Sequence, residues 1–210
     1  MADRGDRPVV FVVDDDEGVR KALSLLIRSA GFEVRTFDSS EAFLEDYSPD
    51  AAGCLVLDVR MTGMDGMSLQ EELWNRGLDI PVIMMTGHGD VPMAVKAVQR
   101  GAIDFLQKPF EDEVLLERIR QALALNAQRR VEAGERALWA ARLARLSARE
   151  REVMDLLVSG LGNKEIALKL GLSRKTVDIH RAHVMLKLGV ESVAELVRIG
   201  LLHGSGPGGG

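Results

Sequence analysis

Two adjacent acids, Asp14 and Asp15, follow the apolar run Val9-Val10-Phe11-Val12-Val13, and a third, Asp58, closes the run Gly53-Cys54-Leu55-Val56-Leu57. Thr86 ends Val82-Ile83-Met84-Met85, and Lys108 comes just after Ile103-Asp104-Phe105-Leu106. Each polar group stands at the exit of a separate strand-like segment. In an open parallel sheet, ligands sit in the crevice beyond the carboxyl ends of the strands, so groups placed this way share one mouth. Neighbouring carboxylates repel by roughly 1 kcal/mol in water and about 4 kcal/mol at an effective dielectric near 20, so a positive charge has to sit among them. Hard carboxylate oxygens with room for water suit Mg²⁺, which also holds phosphate oxygens beside one or two acids. The ion would neutralise developing charge while Asp58 attacks a phosphoryl group, and Lys108 would pair with the acceptor carboxylate or its phosphoryl oxygens. Taken singly, an Asp after a strand is ordinarily a turn or a helix cap, Thr86-Gly87 a loop start and Lys108-Pro109 a chain turn. Their joint occurrence after four strands is what points to a phosphorylatable switch.

The elements that must position these groups alternate. Strand-like runs and amphipathic segments succeed one another to about residue 125, the pattern of repeated strand-helix units around a parallel sheet, and five of each fit. The first helix is expected to turn Val19, Ala22, Leu23, Leu26 and Ala30 to one face and to stop at Gly31. The fourth is expected to begin near Asp90, with Pro92 tolerated in its first turn, and to end by Gly101. With 210 residues, 46% of them apolar, the chain has room for two small domains. The single cysteine, Cys54, lies inside an apolar strand as a small buried hydrophobe, so nothing requires an oxidising compartment. The polar start Met1-Ala2-Asp3-Arg4-Gly5-Asp6-Arg7 lacks the apolar core of an export signal, and no stretch approaches the roughly 18 apolar residues that span a bilayer. The expected location is cytoplasmic, without a membrane partner.

Charge divides the chain. Arg145 to His203 carries 10 Lys and Arg against 7 Asp and Glu, and the remainder 17 against 25. The two parts should meet different partners. A first domain is read over 1–125, a helical linker over 126–144, a second domain over 145–203 and a disordered glycine-rich tail over 204–210. The linker reads as a solvated connector rather than a coiled coil, because its heptads are broken and Gly134 weakens the helix.

In the second domain, Ser147-Ala148-Arg149-Glu150 and Ser192-Val193-Ala194-Glu195 both match the capping box. Asn163 to Leu170, the turn Gly171-Leu172-Ser173, and Arg174 onward give helix, turn, helix. At 100° per residue Val177, His180, Val184 and Leu188 share one side of the second helix, which is expected to face the core. His180 reads as a core histidine with a polar partner. Lys175, Ile179 and Ala182 point the other way, flanked by Thr176, Asp178 and His183. Small and apolar groups suit approach to thymine methyls and Lys175 suits guanine acceptors, whereas Arg181 must reach outward towards a phosphate. Asp178 opposes binding, because an acid near phosphates is repelled.

Val12-Val13-Asp14-Asp15-Asp16, Leu57-Asp58-Val59-Arg60-Met61, Met85-Thr86-Gly87-His88-Gly89-Asp90 and Phe105-Leu106-Gln107-Lys108-Pro109-Phe110 together resemble the receiver domain of bacterial two-component response regulators. Leu146-Ser147-Ala148-Arg149-Glu150, Asn163-Lys164-Glu165-Ile166-Ala167 and Thr176-Val177-Asp178-Ile179-His180 resemble a LuxR-type DNA-binding domain. The whole is similar to the FixJ/NarL family of transcriptional regulators, closest to the FixJ branch. The resemblance implies a doubly wound five-stranded parallel sheet of order 2-1-3-4-5 joined by the linker to an all-α helix-turn-helix domain. It implies Asp58 as the phosphoaspartate, Asp15 and Asp58 as Mg²⁺ ligands with the Arg60 carbonyl, and Asp14 acting through water. Thr86 and Lys108 become phosphate sensors, with Thr86 and Phe105 as switch residues. DNA contacts are expected from Lys164, Arg174, Lys175, Thr176, Ile179, Arg181, Ala182, His183 and Lys187. The implied partners are a sensor histidine kinase, promoter DNA and, on phosphorylation, a second copy of the chain through the face of the fourth helix and fifth strand. Thr62 departs from the family's usual proline. Two other readings remain: a receiver that only dimerises without phosphorylation, and a phosphatase of the haloacid dehalogenase type. The latter wants a second acid two residues after its nucleophile, where this chain has Arg60.

Overall fold

The computed structural model describes residues 7–87 and 91–202. The chain start, the His88-Gly89-Asp90 part of the motif with the expected helix start near Asp90, and the glycine-rich tail lie outside the described residues. Two compact units divide the chain, Met1–Arg130 and Val131–Gly210.

In the first unit, strands β1 (Val9–Val13), β2 (Glu33–Phe37), β3 (Gly53–Asp58), β4 (Val82–Thr86) and β5 (Ala102–Gln107) alternate with helices α1 (Glu17–Ser29), α2 (Ser40–Asp46), α3 (Gly66–Asn75) and α4 (Val91–Gln99). The strands pair in parallel in the order β2-β1-β3-β4-β5. Period two sorts their side chains. Val10, Val12, Cys54, Val56, Ile83 and Met85 pack on one face with Leu23 and Ile27 of α1 and with Leu115, Ile119 and Ala122. Phe11, Val13, Leu55, Leu57 and Met84 pack on the other with Phe43 of α2 and Leu69 and Leu73 of α3. Every residue of β3 is buried, and burying each large apolar side chain stabilises by about 1.5–3 kcal/mol. A one-residue slip in β3 would turn both faces over, so the core also fixes where Asp58 points.

On α1 the core face is carried by Leu23 and Ile27, and Ala22, expected on that face, is exposed. The offset arises because the helix meets the sheet along the 23–27 stripe, with Val19 and Leu26 only partly covered. Helix α5 runs as Asp112–Ala144, and its residues up to Arg130 belong to this unit. Asn126 on it is buried, and its Oδ1 accepts a hydrogen bond from Gly53 N–H at 3.0 Å. A Cβ on Gly53 would fall 2.1 Å from the Val9 carbonyl oxygen, so glycine is needed where β3 begins.

The second unit holds α6 (Ala148–Val158), α7 (Asn163–Leu170), α8 (Arg174–Leu188) and α9 (Val193–Leu202). Its core gathers Val153, Met154 and Leu157 of α6, Ile166 of α7, and Val177, Val184 and Leu188 of α8, with Trp139 and Leu196. The turn between α7 and α8 depends on Gly171, which at φ +64° ends α7 in the left-handed region that only glycine adopts without strain. Ser173 then caps α8 by accepting from Thr176 N–H at 3.1 Å. Both ends of the turn are thus closed by local chemistry.

The capping box at Ser147 is complete. At Ser192 only half of it forms: Glu195 N–H donates to Ser192 Oγ, and the Glu195 carboxylate accepts from Glu191 N–H instead. Val177, Val184 and Leu188 are buried as the helical period predicts. His180 shares their side, but its buried Nδ1 has no hydrogen-bond partner among the described residues. The expected polar partner is missing because the same-face neighbours Val177 and Val184 offer neither donor nor acceptor.

Candidate functional site

Strand register brings the first cluster together. Val13 lies beside Leu57, Asp58 beside Met85, and Thr86 beside Gln107, so the four exits are level at the carboxyl end of the sheet. Lys108 N–H donates to the Thr86 carbonyl at 2.7 Å, which extends that pairing one residue beyond β5. The Lys108 Nζ then reaches Asp14 Oδ2 at 2.8 Å and Asp58 Oδ1 at 2.7 Å. Asp14, Asp58 and Thr86 are 1%, 7% and 0% exposed. Phe105, half-buried, packs on the side of the sheet that holds Phe11 and Met84.

The three successive acids have three different jobs. Asp14 faces inward to Lys108, and its Oδ1 accepts from Asp16 N–H at 3.0 Å. Asp16 is the N-cap of α1, accepting from Val19 N–H at 3.0 Å. Asp15 is exposed, and its Oδ2 accepts from both Thr62 N–H at 2.9 Å and Thr62 Oγ1 at 2.7 Å. Arg20 Nη1 donates to the Asp14 carbonyl at 2.7 Å. The second oxygen of Asp58 accepts from Arg60 N–H at 3.0 Å. After Asp58 the chain folds back so tightly that a Cβ on Gly66 would lie 2.3 Å from the Asp58 carbonyl oxygen, and Gly66 N–H donates to Val59 O at 3.0 Å.

Two carboxylates against one ammonium leave this cluster one negative charge in excess when all are ionised. Burial pushes the Asp58 carboxyl above its ordinary range, with the Asp14 charge adding to the push and Lys108 opposing it. Burial works against the Lys108 ammonium, but its two carboxylate partners outweigh that and raise it. The Thr62 hydroxyl and amide hold Asp15 below the usual carboxylate value.

The sequence expects three acids around one cation. Among the described residues no three His, Cys, Asp or Glu side chains are gathered as a metal-binding set, and Asp15 is engaged by Thr62. The donor chemistry nonetheless suits a hard cation. All candidate ligands are oxygens, they carry surplus negative charge, and Asp15 is solvent-facing one residue from Asp14.

In the second unit, Lys164, Arg174, Lys175, Ile179, Ala182 and His183 are exposed, and Thr176 is half-covered. Ile179 is 48% exposed although apolar. Four residues of the expected contact set have partners within the unit: Thr176 Oγ1 lies 2.8 Å from Ser173 Oγ, and His183 Nδ1 lies 3.6 Å from Glu150 Oε1. Lys187 Nζ pairs with Glu150 Oε2 at 2.6 Å, and Arg181 Nη1 reaches Asn163 Oδ1 at 3.3 Å. The Asn163 amide also donates to Asp178 Oδ1 at 2.5 Å, so the unfavourable acid is held beside Arg181 rather than left alone. Glu150 and Asn163 are residues that sequence reasoning missed in this role. The capping box signalled Glu150 as a cap, and nothing local signalled its lysine, 37 positions away.

Comparison with known proteins matches residues 10–120 to the response regulator receiver domain and residues 144–199 to the bacterial regulatory proteins of the luxR family. The transcriptional regulatory protein FixJ of Azorhizobium caulinodans is 46% identical over 198 residues, 94% of this chain and 94% of its own. The response regulator protein TodT of Pseudomonas putida is 45% identical over 199 residues, 95% of this chain and 87% of its own. Among solved structures, the response regulator StyR superposes with a TM-score of 0.84 at 49% identity, covering 92% of this chain and 98% of that one. Full-length FixJ from B. japonicum gives a TM-score of 0.57 at 42% identity, covering 94% and 98%.

Proposed function

The chain belongs to the response regulators that join a receiver domain to a LuxR-type DNA-binding domain, phosphorylation-activated regulators of transcription, and from that premise we propose which residues do the work. Asp58 accepts the phosphoryl group. One observation carries this assignment: its carboxylate stands at the end of a fully buried strand, bonded to Lys108, in a cluster with an unbalanced negative charge.

A carboxylate oxygen of Asp58 forms the new bond to phosphorus, and the bond from phosphorus to the donor breaks. The donor is a phosphohistidine of a sensor kinase or a small acyl phosphate, and its leaving atom keeps the electron pair. Asp15, Asp58 and the Arg60 carbonyl would hold Mg²⁺, with Asp14 through water. Bound there, the ion supplies positive charge for the transferring oxygens. Lys108 stays within reach of the acceptor, and Thr86 at the end of β4 lies one hydrogen-bonded step away through the Lys108 backbone.

A phosphoryl group adds roughly 1.5 to 2 negative charges. Drawing Thr86 and Lys108 towards it while Phe105 repacks constitutes the switch, and moving a two-state element from mostly off to mostly on needs about 5.5 kcal/mol of preference. The face of α4 and β5 then pairs with a second copy. Val95 and Val98 of α4, exposed at 48% and 53%, support that choice. Two linked helix-turn-helix modules can occupy half-sites roughly 34 Å apart, which raises affinity without new contacts. The exposed residues around Lys175 and Ile179 are the DNA-reading set.

Its relatives are regulators rather than enzymes, and Arg60 stands where a dehalogenase-type phosphatase needs an acid. No helix among the described residues is long and apolar enough to cross a membrane; a cytoplasmic location follows from the DNA-binding reading. Incubation with acetyl phosphate and Mg²⁺ tests the acceptor. Intact mass should rise by one phosphoryl group in the wild type and stay fixed in Asp58→Asn. An unchanged wild-type mass overturns the assignment, and equal DNA affinity with and without the phosphoryl group would favour a receiver that acts without phosphorylation.

A further inference from the structure

Of the three adjacent acids that leave β1, two are fixed by their own surroundings. Asp14 is fastened to Lys108 and to the Asp16 amide, and Asp16 caps α1. Asp15 is held from a distant segment, the loop after β3, through two donors of a single residue that converge on one oxygen. That loop is itself anchored beside the acceptor, since Gly66 packs against the Asp58 backbone and Arg60 N–H binds the Asp58 carboxylate. The grip on Asp15 is therefore exerted from a fixed position.

We propose that Thr62 is a positioning residue that holds Asp15 out of the cation site, so that a divalent ion reaches its full ligand set only after the two Thr62–Asp15 hydrogen bonds are given up. This rests on the reading of Asp15 and Asp58 as cation ligands. The Thr62 pair competes with the ion for the same carboxylate. Both donors engage Oδ2 of Asp15, so that oxygen cannot face an ion while they hold it. Thr62 thus sets the ion concentration at which the acceptor becomes competent.

The chemistry of the side chain gives a graded test. Thr62→Ser keeps both donors, Thr62→Val keeps the amide and loses the hydroxyl, and Thr62→Pro loses both. Titrating each full-length protein with MgCl₂ by calorimetry should show serine binding like the wild type. Valine should bind about threefold and proline about tenfold tighter, the scale of one and two partly solvated hydrogen bonds. In ¹H–¹⁵N spectra of the wild type, the Thr62 amide resonance should move on saturation with Mg²⁺. Equal affinities across the series, weaker binding in valine and proline, or a Thr62 amide that stays still would each overturn the proposal while leaving the cation site standing. If neither the wild type nor any variant binds Mg²⁺, or if Asp15→Asn binds as tightly as the wild type, the underlying cation reading fails with it.

Discussion

The receiver and the DNA-binding unit each bury a carboxylate against a lysine, Asp58 with Lys108 and Glu150 with Lys187, but the two pairs are balanced differently. In the receiver a second acid, Asp14, shares the same ammonium, and burial leaves the Asp58 carboxyl raised. Glu150 has its lysine at 2.6 Å and the Ser147 amide at 2.7 Å on one oxygen, with His183 Nδ1 3.6 Å from the other. Lys187 foremost, then the Ser147 amide, brings its pKa down to about 2. The same residue types therefore end in opposite electrostatic states. Burial of a charge does not by itself mark a site of chemistry; an uncompensated charge at the mouth of a sheet does.

The comparison breaks most visibly at Lys108. Lys108→Met leaves Asp14 and Asp58 facing each other with no cation between them, and breaking such a pair costs about 3 kcal/mol. Urea denaturation of the receiver unit should show that loss, and Asp14→Asn added to the same chain should recover much of it. An unaltered midpoint in Lys108→Met would mean that the surplus charge is solvated and that the contrast with Glu150 is only apparent.

A second test separates the lysines of α8. Lys175 is exposed and free to meet DNA, whereas Lys187 is committed to Glu150. Lys175→Ala should weaken DNA binding by about 1–3 kcal/mol if it reads a base, or lower the salt slope by about one if it meets only a phosphate. Melting should be unmoved. Lys187→Ala should instead lower the melting temperature of the DNA-binding unit, because it strands a buried carboxylate. Gel-shift titrations alongside thermal melts distinguish the two, and a Lys187→Ala protein that melts normally but binds DNA poorly would restore Lys187 to the contact surface.

These contrasts mark what the sequence could and could not convey. Strand exits are legible because polar groups recurring after several apolar runs converge on one mouth of a parallel sheet, and the helical period placed Val177, Val184 and Leu188 in the second core. Contacts made by polar groups at element rims are not legible in that way. Thr62 meets Asp15 across 47 positions and Lys187 meets Glu150 across 37, and each depends on a loop path or a rotamer rather than on a period. Thr62 was visible as an oddity in its motif, but only the folded loop shows that its two donors land on Asp15. His180 is the converse case: the period located it correctly and could not say that its Nδ1 would find no partner among the described residues.

The smallest effects carry the sharpest form of the comparison, because they should differ in sign. In Glu150→Gln the amide oxygen can still accept from Ser147 or Lys187 but no longer attracts the ammonium, so stability near neutral pH should fall by about 1.5 kcal/mol, the low end of the range for a hydrogen bond to a charged group. The depressed folded pKa of about 2 against an ordinary 4.5 places this contribution above pH 4.5 and removes it as pH falls towards 2. Wild-type melting temperatures should drop through that window, and Glu150→Gln should lose much of the slope. Asp58 titrates the other way: its folded pKa is raised, so its charged form weakens the native state above that pKa and protonation relieves the strain as pH falls. Asp58→Asn, measured without divalent ions, gives up one acceptor for Lys108 or Arg60 and removes the repulsion of Asp14. Burial, the largest cause of the raised Asp58 pKa, outweighs what Lys108 contributes to the charged form, and the neutral amide escapes that penalty, so the variant should unfold at a higher urea concentration than the wild type. Two neutralising substitutions of buried acids would then shift stability in opposite directions within one chain, and a loss of stability in both would show that Lys108 compensates Asp14 and Asp58 fully.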